Sequence, residues 1–243
     1  MRSALQAIVF DFDGVIANSE PLHLRAFQRT LAEQGLPLSA EDYYARYLGY
    51  DDVGLFEALA RDRAVALGAG QVAALVARKA AALQDLLEDA QVLFPGASAF
   101  VRAAAAEVPL AIASGALRHE IVEILDAAGL GDLFAVIVAA GDTPHSKPSP
   151  APYQLAFEQL RQRTGRALDP ARSVAIEDSR WGLESARGAG LRCVGLTTSY
   201  PAGELDGAEL VVSGLDALSV PMLDRLCATP AVDPRGQHAP GPR

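Results

Sequence analysis

Asp11 and Asp13 stand two residues apart at the end of an apolar run, Ile8-Val9-Phe10, and Gly14 follows at once. A short, continuous apolar run with β-branched residues predicts a buried strand. Residues two apart on a strand share a face, so both carboxylates would point into one site. Gly14 lets the chain turn sharply away. Two like charges at that spacing are unfavourable unless a cation or a shared proton relieves them. A divalent ion is the simplest relief, and a hard ion such as Mg²⁺ takes oxygen ligands of this kind. Taken alone, the segment reads as well as a strand end with a solvated acidic turn.

Three further segments end an apolar run, or open a loop, with polar residues suited to phosphate or metal. Pro109-Leu110-Ala111-Ile112-Ala113 leads into Ser114-Gly115, and Ser173-Val174-Ala175-Ile176 leads into Glu177-Asp178-Ser179. Between them lies the loop Ser146-Lys147-Pro148-Ser149-Pro150. Ligands of an open parallel sheet bind outside the carboxyl ends of its strands, so these clusters predict one composite site. Backbone N–H groups at a helix start form an anion site, to which Ser114 adds a hydroxyl, and the same serine could simply cap that helix. Glu177-Asp178-Ser179 alone reads equally as an acidic helix start favoured by the dipole.

The order Asp-x-Asp, Ser, Lys, Glu-Asp resembles the four motifs of the haloacid dehalogenase superfamily. The resemblance extends to about Leu226, and its branch is similar to beta-phosphoglucomutase and phosphoglycolate phosphatase. It implies that Asp11 is a nucleophile attacking phosphorus to give an aspartyl-phosphate, and that Asp13 is a general acid and base whose backbone carbonyl also binds metal. It implies that Lys147 offsets phosphoryl charge, that Ser114 and Gly115 bind the phosphate, and that Asp11, Asp13, Asp178 and Glu177 hold Mg²⁺, Glu177 either directly or as a supporting partner.

Alternation of strand and helix patterns organises the chain. Strands are expected at Ala7 to Phe10, Leu110 to Ala113, Ala135 to Ala139, Val174 to Ile176, Cys193 to Leu196 and Leu210 to Val212. Helices are expected at Leu117 to Ala128, Pro152 to Arg163 and Leu183 to Ala189. This predicts an α/β fold, a doubly wound parallel Rossmann-like sheet built from residues 1–17 and 90–228. Residues 18–89 contain only helical patterning, broken at Gly35-Leu36-Pro37, Gly49 to Gly54 and Gly68-Ala69-Gly70. They are expected to form a four-helix insertion, which by resemblance is a small all-helical cap domain. Residues 229–243, rich in Pro, Gly and Ala, are expected to be a disordered tail.

Within the insertion, Glu20, His23 and Lys79 match, by resemblance, cap positions that bind substrate and help close the site. Tyr43, Tyr44, Tyr47 and Tyr50 crowd one stretch and are expected to pack the insertion's core, with Tyr50 facing substrate. His119 and His145 are expected to be solvated. Beta-phosphoglucomutase-like proteins carry an arginine in the loop that here reads Leu48-Gly49-Tyr50-Asp51-Asp52. Acids at that place disfavour the second phosphate a mutase must hold.

The chain has 243 residues, half of them apolar, which suffices for a sizeable core. A net charge of −9 argues against nucleic acid as a partner. It leaves room for a small phosphorylated metabolite, because Lys147 and a metal could invert the local field. Cys193 and Cys227 read as ordinary buried thiols. No apolar run has the length of a membrane span, and strand-like sequence begins too near Met1 for a signal peptide, so a cytoplasmic protein is expected. Nothing suggests a large apolar interface stripe, so a monomer is expected. The expectation is a Mg²⁺-dependent phosphatase acting on a small phosphate monoester such as a sugar phosphate. A sugar phosphate mutase is the first alternative, a non-catalytic phosphate-metabolite sensor a more distant one, and a dehalogenase would leave Asp13 and the metal without a task.

Overall fold

The computed structural model describes residues 3–47, 50–88 and 92–229. The tail expected from Thr229 onward lies, beyond Thr229 itself, outside the described residues. So do Leu48 and Gly49 of the acidic loop.

Six parallel strands form one sheet: β1 (Ala7–Phe10), β2 (Leu110–Ala113), β3 (Phe134–Val138), β4 (Ser173–Glu177), β5 (Arg192–Leu196) and β6 (Leu210–Val212). Their order is β3-β2-β1-β4-β5-β6. The chain starts in the middle and winds outward first one way and then the other, the doubly wound α/β topology. β1, β2, β4 and β5 are buried at every position, which explains why they read as apolar runs rather than alternating ones.

The chain divides into two compact units, Met1–Asn18 with Leu93–Arg243, and Ser19–Val92. Among its described residues the second unit contains helices and no strand: α1 (Glu20–Ala32), a short α2 (Ala40–Asp42) running into a π-helical turn (Tyr43–Tyr47), α3 (Asp52–Asp62) and α4 (Ala69–Glu88). α1 packs along α4, and the core between the helices includes Phe27, Leu31, Tyr43, Tyr47, Phe56, Leu59 and Leu75. Helix boundaries fall at the expected breaks, and the last glycine of two of them lies inside the helix that follows. Gly54 lies in the first turn of α3, where its N–H donates to Asp51 Oδ1 at 2.7 Å, and Gly70 lies in the first turn of α4. The Asp51 cap overrides the weak helix propensity of Gly54. The tyrosine cluster divides as well: Tyr43 and Tyr47 are buried, whereas Tyr44 and Tyr50 are exposed.

Around the sheet lie α5 (Ala97–Ala105), α6 (Arg118–Ala127), α7 (Ala151–Thr164), α8 (Arg180–Gly188) and α9 (Val220–Ala228). Side chains alternate across each strand. Ala7, Val9, Ala111, Ala113 and Ala175 face Tyr153, Ala156, Phe157 and Leu160 of α7 and Leu183 and Ala186 of α8. On the opposite side, Phe10 meets the rings of Phe100 from α5 and Phe134, at 6.1 and 5.8 Å between centroids. The small residues on the first face let α7 and α8 approach closely. No helix among the described residues is long and apolar enough to cross a membrane.

Candidate active site

Strand register brings the chemistry together. Phe10 pairs with Ile112 on one side and Ile176 on the other, and Asp11 N donates to Ile176 O at 2.9 Å. Asp11 therefore leaves β1 level with Glu177, the last residue of β4. Asp178 lies one step beyond, as Ser114 does after β2, where its N–H donates to Val138 O at 2.9 Å.

Lys147 links the central pair of strands. Its Nζ lies 2.9 Å from Asp11 Oδ1 and 2.6 Å from Glu177 Oε1. The lysine reaches them from a loop whose Lys147–Pro148 peptide is cis. Asp11, Glu177 and Asp178, all buried, each offer a carboxylate oxygen within 4.8 Å of the others. Burial pushes the Asp11 carboxyl up to about 6, with Lys147 opposing and Glu177 reinforcing. Burial, joined by the charges of Asp11 and Glu177, pushes Asp178 to about 8 against the Ser199 hydrogen bond. Burial disfavours the Lys147 ammonium, but the two carboxylates beside it outweigh that and raise its pKa.

When all three carboxyls are ionised they face one ammonium and leave two negative charges unbalanced, a deficit that a divalent cation fills. The donor set suits a hard ion. Glu177 is the least available of the three, since its oxygens already accept from Lys147, Tyr153, Asp178 N, Ser179 N and Ser179 Oγ. Asp11 and Asp178 are the donors with capacity to spare.

Four supporting residues were not anticipated in the sequence. Tyr153, on the first turn of α7, donates its hydroxyl to Glu177 Oε1 at 2.8 Å. Ser199 donates to Asp178 Oδ2, and Thr198 donates to Gly14 O. A Cβ on Gly182 would stand 1.9 Å from Glu177 Cδ, so only glycine lets α8 approach this carboxylate. Thr197-Thr198-Ser199 does carry a legible signal, since it follows the apolar β5 in the same layout as the other clusters. Tyr153 and Gly182 carry none, because their roles depend on how α7 and α8 lie on the sheet.

Asp13 is partly buried just past the end of β1 and bridged to Ala17 through the main chain. Gly14 follows with φ of 77°. Ser114 does not cap the following helix. α6 begins at Arg118 with Leu117 as its N-cap, and Ser114 Oγ instead accepts from Ala116 N at 3.1 Å. The hydroxyl thus holds the turn at the end of β2, where Gly115 is exposed. His119 and His145 are both exposed.

The helical unit has its own polar set. Glu20 and His23 lie one turn apart on α1, and Lys79 comes from α4. Lys79 is 1% exposed, with Nζ 2.9 Å from His23 Nδ1, 2.9 Å from Asp52 Oδ1 and 4.9 Å from the Phe27 ring centre. Burial and the Lys79 charge push the His23 pKa down to about 3, so the ring is neutral and its Nδ1 accepts from Lys79. Glu20 Oε1 accepts from the Tyr43 hydroxyl. Asp52 was not anticipated as the partner of Lys79.

Comparison with known proteins agrees with this architecture. Residues 5–190 match the family model described as haloacid dehalogenase-like hydrolase. Protein CbbY of Rhodobacter capsulatus is 36% identical over 211 residues, 82% of this chain and 88% of that protein. Phosphoglycolate phosphatase of Yersinia pseudotuberculosis is 29% identical over 207 residues, 83% of this chain and 84% of that protein. A crystal structure of CbbY from Rhodobacter sphaeroides in complex with xylulose-(1,5)bisphosphate superimposes with a TM-score of 0.78 at 29% identity, covering 90% of this chain and 99% of that one. With the matched model spanning most of its length, this chain belongs to the haloacid dehalogenase-like hydrolases.

Proposed function

We propose that this protein is a Mg²⁺-dependent phosphatase that transfers the phosphoryl group of a small phosphate monoester first to Asp11 and then to water. The observation that carries the reading is the placement of Asp11 Oδ1 2.9 Å from Lys147 Nζ, inside a buried cluster with Asp178. An oxygen of the Asp11 carboxylate attacks phosphorus as the bond from phosphorus to the ester oxygen breaks, giving an aspartyl-phosphate. Asp13 protonates the departing oxygen, then takes a proton from the water that attacks phosphorus, releasing inorganic phosphate and restoring Asp11. Lys147 offsets charge on the phosphoryl oxygens, and Ser114 with the main chain at Gly115 holds them. Asp11, Asp178 and the Asp13 carbonyl would hold the Mg²⁺, whose positive charge would let an anionic nucleophile approach an anionic phosphate. Glu177 supports that set by fixing Lys147 and the turn at Asp178. The names of the relatives support phosphate-ester chemistry.

Glu20, His23 and Lys79 are assigned to the alcohol part of the substrate. Their charge balance supports an uncharged, hydroxyl-bearing group there, such as a sugar. The Lys79 ammonium is matched by Asp52, His23 is neutral, and Glu20 adds a negative charge. That set has no spare cation for a second phosphate or a carboxylate, which favours hydrolysis of a sugar monophosphate over mutase chemistry.

The test is phosphate release from sugar monophosphates, a sugar bisphosphate and phosphoglycolate, with and without Mg²⁺, for wild type and Asp11→Asn. Metal-dependent release, greatest for a sugar monophosphate and lost in Asp11→Asn, is the expected result. Isomerisation of a sugar 1-phosphate in the presence of a bisphosphate primer, without net release, would replace this reading with a mutase. Inactivity in both assays would replace it with a sensor.

A further inference from the structure

Tyr153 is fully buried under the site and has no part in the reaction as written. Its hydroxyl donates to Glu177 Oε1 at 2.8 Å, the same oxygen that accepts from Lys147 Nζ at 2.6 Å. The face of its ring lies below the ammonium, with Nζ 5.0 Å from the ring centre. Lys147 is thus held from three sides, by Asp11, by Glu177 and by the Tyr153 ring.

We infer that Tyr153 is a positioning residue that holds the Lys147 ammonium between Glu177 and Asp11 instead of letting it collapse onto Glu177 alone. The inference rests on the phosphatase reading of the Asp11 site. Glu177 Oε2 accepts from Asp178 N at 3.2 Å, Ser179 N at 3.4 Å and Ser179 Oγ at 3.2 Å, so only Oε1 is open to further donors. Two donors share that oxygen. An oxygen satisfied partly by a hydroxyl draws less on the ammonium, which keeps its remaining hydrogens for Asp11 and the incoming phosphoryl group. The ring adds cation–π attraction directed at the same point. Without the hydroxyl, Oε1 would have Lys147 as its one strong donor. The ammonium would move toward Glu177 and away from Asp11.

Tyr153→Phe keeps the ring and its packing and removes only the hydroxyl. A double-mutant cycle with Lys147→Ala then separates positioning from bulk stability. In the wild-type background, Tyr153→Phe should lower kcat about twentyfold, within the range for a lost hydrogen bond to a charged group, with KM within twofold. In the Lys147→Ala background the same change should leave kcat within twofold, because the group it positions is gone. Equal losses in the two backgrounds, or no loss in the first, would overturn the inference. A crystal structure of Tyr153→Phe supplies a second readout independent of turnover: the Lys147 to Asp11 separation should exceed 2.9 Å. An unchanged separation counts against the inference even if the variant is slow. Failure of wild type to release phosphate from any ester would instead overturn the phosphatase reading, leaving that separation to decide the role of Tyr153.

Discussion

Gly14 lies so close to Asp178 that a Cβ added to it would stand 1.8 Å from Asp178 Oδ2 and 2.8 Å from Ser199 Oγ. The turn after Asp13 and the carboxylate after β4 therefore share a space that only a glycine leaves free. Its φ of 77° independently favours glycine. Gly14→Ala should lower stability by about 1–3 kcal/mol through strain and steric overlap. It should also displace Asp178 and remove most Mg²⁺-dependent turnover. Chemical denaturation and a Mg²⁺ titration of phosphate release check both parts. A variant with wild-type Mg²⁺ dependence would show that Asp178 does not need this contact.

The carboxylate cluster predicts how metal and pH combine. Asp11 and Asp178 titrate at about 6 and about 8 in the fold, above the ordinary 3.8 of an unfolded aspartate. As pH rises, the unfolded chain loses these protons first, so their contribution to stability is complete below pH 3.8 and is lost as pH rises through 6 and 8. Mg²⁺ binds the ionised form and should reverse that loss. At about 100 times its Kd, Mg²⁺ adds about 2.7 kcal/mol, or roughly 5–10 °C in Tm for a chain of this size. The gain should be larger near pH 8 than near pH 5.5 and small in Asp178→Asn. A Mg²⁺ shift independent of pH would exclude this cluster as its source.

The strands and their carboxyl-end residues were legible because a buried parallel sheet demands apolar runs on both faces. Asp11, Glu177 and Asp178 come together in the structure because β1 and β4 are neighbours in register, and Lys147 reaches them from its loop. What the sequence could not disclose is pairing that depends on packing. Tyr153 meets Glu177 only because α7 lies across β1, β2 and β3, and Lys79 meets Asp52 only because α3 and α4 pack together. Ser114 ends β2 as expected and α6 starts within one residue of the expected Leu117, but the alternative role of Ser114 as a cap fails because its hydroxyl accepts from Ala116 N while Leu117 is the N-cap.

His23 predicts an acid weakness in the helical unit. Its folded pKa of about 3 lies below the ordinary 6.5, so the unfolded chain takes up the proton first as pH falls. The stabilising contribution is complete above pH 6.5 and drains away toward pH 3. The carboxylate cluster pulls stability the other way over the same range, so the comparison isolates His23: between pH 7 and pH 5 the denaturation midpoint of His23→Gln should rise more, or fall less, than that of wild type. An unchanged slope in the variant would place the acid sensitivity elsewhere.

Asp52 predicts substrate choice. Asp52→Asn removes the carboxylate partner of the buried Lys79 ammonium and should cost about 3–5 kcal/mol of stability. If, as proposed, Lys79 binds substrate, the ratio of kcat/KM for a sugar bisphosphate to that for the matching monophosphate should rise about tenfold among folded molecules, since the freed cation would attract the second phosphate. The ratio corrects for any loss of folded enzyme. No change would remove the Asp52–Lys79 pair from the basis of specificity.

The most direct test of phosphoryl transfer through Asp11 is to trap the intermediate. Asp13→Asn should still accept the phosphoryl group from a ³²P-labelled aryl phosphate, whose leaving group needs no proton, yet lack the base that activates water. Acid quenching followed by peptide mapping should then find label on the peptide carrying Asp11, and none in the Asp11→Asn, Asp13→Asn double variant. Aryl alcohol released over many turnovers, with no label on the protein at any time, would contradict a covalent route through Asp11.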